Sequence, residues 1–146
     1  RKLWNFQPNK VIKITIEDGA KATILQRNNT GQWTRPGRQL AANEVRDLKL
    51  ALSFLGQFRA VAWTTRGADK LAFYNILSTK KSITLELKRD GKAVERKIQF
   101  GIKSERVYAT ATDPLGQEPV VLEFSGNTFQ LCEIGLFQLA MQPPKK

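Results

Sequence analysis

The chain has 146 residues, 41% apolar and 25% charged. This is the size and composition of one globular domain with its own core, and it excludes the low-hydrophobicity disordered class. Twenty-four Lys and Arg against thirteen Asp and Glu give a net charge of +11, while histidine is absent and Cys132 is the only cysteine. Ser-His and Cys-His pairs, thiolate zinc sites and an intramolecular disulfide are thereby excluded.

The charge suits anionic partners such as nucleic acid, acidic lipid or polyanionic glycans, or else simply solvates a face. No apolar run approaches the roughly 18 residues that cross a bilayer, and no signal-peptide core stands near Arg1. The opening Arg1-Lys2-Leu3-Trp4 reads as a cut from a longer polypeptide. Residues 1–142 are expected to form a single α+β domain, with halves at 1–75 and 76–142, and 143–146 to be a polar, Pro-rich linker.

Ile12, Ile14 and Ile16 alternate with Lys13, Thr15 and Glu17, the period of a strand with one buried face. Asp18-Gly19 predicts a tight turn, returning through Ala22 to Gln26, and a loop through Asn28, Asn29 and Gly31 leads to a short strand at Trp33. Val45, Leu48, Leu52 and Leu55 then share one helix face from Asn43, which can cap it, and Gly56 predicts a left-handed stop. Arg59 to Thr65 reads as a strand, followed by an irregular connection through Gly67, Asp69 and Tyr74.

The second half opens in the same way: Ile83, Leu85 and Leu87 alternate, Asp90-Gly91 turns, and Val94 to Phe100 returns. Strands at Arg106 to Thr112 and Val120 to Phe124 flank an Asp113-Pro114-Leu115-Gly116 turn. Asn127 and Gln130 resemble a capping box for a final helix over Phe129 to Ala140, which sets Cys132 in an apolar stripe with Phe129, Leu136 and Leu139. The fold class is therefore α+β, a mostly antiparallel sheet with two amphipathic helices, arranged as a degenerate duplication of a hairpin-plus-helix unit.

No catalytic residues, metal ligands or cofactor motif emerge. The acidic pairs sit at turns, where Asp serves local backbone hydrogen bonds. Ser78, Lys80, Lys81 and Ser82 contain a Ser-Lys pair, but two adjacent lysines in a polar connector resist the desolvation a lysine base needs. Gly91-Lys92 has no glycine-rich lead and is no phosphate loop. The candidate binding residues are Trp33, Arg35 and Arg38, together with Trp63 and Arg66, as stacking platforms flanked by cations for single-stranded nucleic acid. Lys88 and Arg89 join them in the basic group that continues through Lys92, Arg96 and Lys97.

The order of elements resembles the bacterial domain-of-unknown-function family numbered 4340. The likeness is carried by Val11 to Glu17 with Asp18-Gly19, by Gly31-Gln32-Trp33, and by Ala41-Ala42-Asn43 leading into the first helix. Phe73-Tyr74-Asn75-Ile76 stands where that family tends to a Tyr-Gly-Leu-like turn, and Phe100-Gly101-Ile102, Arg106-Val107-Tyr108 and Val120-Val121-Leu122 resemble its later strands. The departure is at Asn75-Ile76. The resemblance implies an extracytoplasmic part of a membrane-anchored, transport-associated protein and transfers no catalytic residue; the expected role is a non-enzymatic accessory or interaction domain that binds a protein or an anionic envelope component. A nucleic-acid-binding module is the alternative.

Overall fold

The structure, a computed structural model, describes residues 4–57, 62–66, 69–111 and 120–141. Among the described residues alternation becomes nine strands: β1 (Val11–Asp18), β2 (Lys21–Arg27), β3 (Trp33–Arg35), β4 (Arg38–Gln39), β5 (Ala62–Arg66), β6 (Lys81–Arg89), β7 (Lys92–Lys103), β8 (Arg106–Ala111) and β9 (Val120–Phe124). They form one sheet in the order β4-β3-β2-β1-β6-β7-β8-β9-β5, and each neighbouring pair runs antiparallel. The expected α+β class with a mostly antiparallel sheet is what the chain adopts.

Each half is a four-strand meander followed by a helix, and the halves meet at β1 and β6. Ile14-Thr15-Ile16-Glu17 lies antiparallel against Ser82-Ile83-Thr84-Leu85, with Thr15 opposite Thr84 and Glu17 opposite Ser82. The two meanders therefore run outward from that central pair in opposite directions, and β5, contributed by the first half, closes the far edge beside β9.

One sheet face carries the core. Helix α1 (Ala42–Leu55) lays Leu48, Ala51, Leu52 and Leu55 on it; after the short helices α2 (Asp69–Phe73) and α3 (Ile76–Thr79), a last helix made of α4 (Gly126–Cys132), a π-helical turn (Glu133–Phe137) and α5 (Gln138–Met141) packs beside α1. Leu48, Leu52, Leu55, Phe129, Leu136 and Leu139 all belong to the buried cluster, as does Cys132. Phe100 stands at its centre, with ring contacts to Phe124, Phe129 and Phe137 at 5.3, 5.0 and 6.1 Å.

Several local expectations are corrected. A bulge between Val11 and Lys13 shifts the phase of β1, so Val11 enters the core and Ile12 is only half-buried. The first hairpin turns on Gly19-Ala20, with positive φ at Gly19 alone, whereas the second turns on Asp90-Gly91 with positive φ at both. These are the backbone signatures of type II′ and I′ turns.

Helix α1 begins one residue early, with Glu44 Oε1 accepting from the Ala41 N–H at 2.8 Å, so Asn43 is in the first turn and not the cap. Gly56 is right-handed, φ −66°; a side chain there would collide with the Phe6 carbonyl, whose own N–H donates to Gly56 O. Contact, rather than handedness, selects that glycine.

The last helix is capped by Ser125, whose hydroxyl accepts from Thr128 N, and not by Asn127. Its π turn buries Gly135, Leu136 and Phe137 in succession. An extra residue in the turn lets neighbouring positions face α1 and the sheet at once. A Cβ on Gly135 would meet the Asp47 carbonyl and sit 3.1 Å from Ala51 Cβ, so glycine permits this helix crossing.

The predicted strand from Arg59 is observed over Ala62–Arg66; residues 59–61, the Asp113 to Gly116 turn and residues 143–146 lie outside the described residues. The connection read as irregular contains two short helices, α2 (Asp69–Phe73) and α3 (Ile76–Thr79).

Candidate functional site

The basic corner around Trp33 folds inward. Trp33 pairs with Arg27 across β2 and β3, is 3% exposed, and carries the Arg27 guanidinium 4.9 Å from its ring centroid. A buried ring offers no face to a nucleobase, which corrects the reading of Trp33 as a stacking platform. Burial also lowers the pKa of Arg27, whose Nη2 donates to Pro8 O.

Arg35 Nη1 donates to Leu139 O at 2.9 Å, where a cation complements the carbonyl end of the last helix. Arg38 forms a two-pronged pair with Glu44, at 2.7 and 2.8 Å, with both side chains about nine-tenths buried. The hydrogen bond to Glu44 raises the Arg38 pKa above its ordinary value. Arg35 and Arg38 therefore tie β3 and β4 to the two main helices.

The remaining sequence candidates stand apart from this corner. Strand β5 carries Trp63 opposite Leu122 and Arg66 opposite Val120, at the far edge of the sheet; their side chains lie outside the described residues. Lys88 is exposed near the end of β6, and Arg89 pairs with Lys92 beside the hairpin turn. Trp33 and Trp63 thus belong to strands near opposite ends of the nine-strand order.

A second arrangement lies on the sheet face opposite the core. Gly101 alternates with the buried Phe100, and a Cβ on it would strike the Tyr74 carbonyl and fall 2.8 Å from Ile76 N. Its bare backbone lets the α2–α3 connector lie flat on β7. Ile76 is 1% exposed in that contact, Tyr74 packs on Tyr108 with centroids 4.6 Å apart, and Asn75 Nδ2 donates to Ile102 O at 2.8 Å.

Seating Ile76 leaves its neighbours outside. Phe73 and Leu77 are 56% and 54% exposed, the highest values among the exposed large apolar side chains of the described residues. Lys103 Nζ stands 3.2 Å from the Phe73 ring centroid and donates to Phe73 O, with Lys70 Nζ at 5.9 Å from the same ring. Beside α3 a cleft of about 210 Å³ is bounded by Leu77, Lys80, Ser82, Lys97, Gln99 and Glu17.

Asn75 and Lys80, at either end of α3, both have positive φ, 62° and 54°. Such values in non-glycine residues cost energy and persist only where surrounding contacts enforce them. Here Gly19 N donates to Lys80 O at 3.0 Å and Asn75 is held by Ile102.

Of the Ser and Lys residues considered from sequence, Ser82 is buried and Lys80 is exposed. Ser78 is exposed, and Lys81 Nζ contacts Glu133 at 2.7 Å and Asp18 at 3.6 Å, which ties β6 to β1 and the π turn. Burial pushes the Cys132 thiol up to about 12.

Sequence reasoning missed Phe73, Leu77, Lys70 and Lys103 as a group. Their signal was two large apolar residues in an otherwise polar connector, but seeing them beside Lys103 requires the fold. No family model matches the chain, and neither a curated protein nor a solved structure matches it.

Proposed function

We propose that this chain is a non-enzymatic accessory domain of a membrane-anchored bacterial protein, exposed outside the cytoplasm, that binds another protein or an anionic envelope component. The observation that carries the binding role is the lysine-flanked apolar ridge of Phe73 and Leu77, because large exposed side chains held in place by strained backbone are the material of interfaces. The extracytoplasmic, transport-associated setting rests on the pattern resemblance alone. The lack of histidine and the strongly raised thiol of Cys132 favour binding over catalysis.

The nucleic-acid reading is kept by the +11 charge and by Trp63 with Arg66 on an edge strand. Salt separates the two. Under the proposed function, binding to DNA or RNA is weak, independent of base sequence, and falls steeply between about 50 and 200 mM salt. Lys88→Glu with Arg89→Glu weakens that polyanion binding further while sparing a protein contact on the α2–α3 face. Single-strand binding that persists at physiological salt, and drops by about 1 to 3 kcal/mol on Trp63→Ala, would instead establish the nucleic-acid module.

A further inference from the structure

We infer that the α2–α3 ridge and the cleft beside it dock an acidic segment of a partner protein, one that presents a carboxylate side chain next to a large aliphatic one. The inference rests on the interaction-domain reading above and names the surface and the chemistry that meets it.

The cleft selects the carboxylate. Lys80 and Lys97 bound it against the single acid Glu17, and Ser82 and Gln99 supply polar walls. Ser82 is itself a buried polar residue, so this wall is drawn from the sheet and not from mobile surface chains. A volume of about 210 Å³ is below the usual range of small-molecule and cofactor pockets, roughly 300 to 1,000 Å³, and suits a single side chain entering from outside.

The ridge selects the aliphatic neighbour. Leu77 forms both a wall of the cleft and an exposed contact, so a carboxylate in the cleft sets the next residue against Leu77 and Phe73. One face of the Phe73 ring is occupied by Lys103 and the Tyr74 ring packs on Tyr108, which disfavours intercalating bases and leaves edges for an aliphatic contact. Lys70 and Lys103 extend the positive rim along the ridge.

Charge also disfavours a second copy as the occupant. Two chains of +11 repel each other, whereas an acidic segment is steered in by the same field. The left-handed Asn75 and Lys80 hold α3 at a fixed height above the sheet, so the surface is organised before the partner arrives.

The test is an NMR titration of the ¹⁵N-labelled chain with a capped peptide of alternating Glu and Leu, beside a Lys-Leu control and an oligothymidylate. Expected are amide shifts concentrated at residues 70–80, 97–99 and 103, seen with the Glu-Leu peptide and not with the control. Phe73→Ser with Leu77→Ser weakens binding about tenfold or more, the scale of interface anchors. Lys80→Glu with Lys97→Glu weakens it comparably and flattens its salt dependence. All four side chains are surface or partly exposed, and an unchanged dispersed spectrum confirms that each variant folds.

Shifts gathered instead around Lys88 to Lys92, or affinity indifferent to both double substitutions, would overturn the site while leaving the interaction-domain reading standing. No shift with the Glu-Leu peptide at millimolar concentration overturns the site and its chemistry alike. Salt-resistant oligothymidylate binding would overturn the interaction-domain reading as well.

Discussion

Cys132 and Gly101 show how a single residue can be set entirely by what surrounds it. The thiol has an ordinary value near 9.0, raised to about 12 chiefly by burial and secondarily by Glu133. Because the folded pKa is the higher, this group's contribution to stability is complete below about 9 and is lost as pH climbs toward 12. Thiol reagents at neutral pH should therefore label the native chain only as fast as it opens, and between pH 9 and 11 the parent should lose more stability than Cys132→Ala. Prompt labelling without denaturant would contradict the burial. At Gly101 the constraint is contact: Gly101→Ala forces the Tyr74 to Ile76 backbone off β7 and should cost about 1 to 3 kcal/mol in denaturation. An unchanged midpoint would mean that the connector does not rest on the sheet.

Helices and strands here take their stability from shared faces more than from their own length. Helix α1 places Leu48, Leu52 and Leu55 on the sheet and its Ala51 side against Gly135. Leu52→Ala leaves a cavity beneath it and should cost on the order of 2 to 5 kcal/mol. A loss below about 1 kcal/mol in chemical denaturation would show that this stripe is not the buried one. The π turn carries the opposite lesson, since its widened backbone lets α1 and the sheet be contacted at once. Helix periodicity predicts the apolar stripe of Phe129, Cys132, Leu136 and Leu139 but has no term for the extra burial of Gly135 and Phe137.

Across the whole molecule the two halves are tied by their central strands. Thr15 and Thr84 face each other where β1 joins β6, and one buried cluster draws on both meanders and both main helices. Chains of residues 1–75 and 76–142 made separately should therefore lack dispersed NMR spectra and cooperative unfolding. A half that unfolded cooperatively by itself would show that the shared core is not required. The same layout sets the α2–α3 connector on the opposite face, and that is where Phe73, Leu77 and the cleft are found.

The sequence by itself determined the α+β class, both hairpins, the two helices and six of the core side chains, because period-two and period-3.6 burial and Gly-containing turns are local properties of the chain. It also showed that histidine and paired-thiol chemistry are impossible. It did not reveal that Trp33, Arg35 and Arg38 point inward, since a Trp-Arg cluster reads alike as a stacking platform or as a corner of the core until its helix partners Leu139 and Glu44 are in place. Nor did it reveal the bulge at Val11 or the contacts that demand glycine at Gly56, Gly101 and Gly135. Only the tertiary structure decided which cations are spent on helix ends and which stand beside Phe73 and Leu77, because that depends on strands and helices far apart in the chain meeting on one face of a sheet.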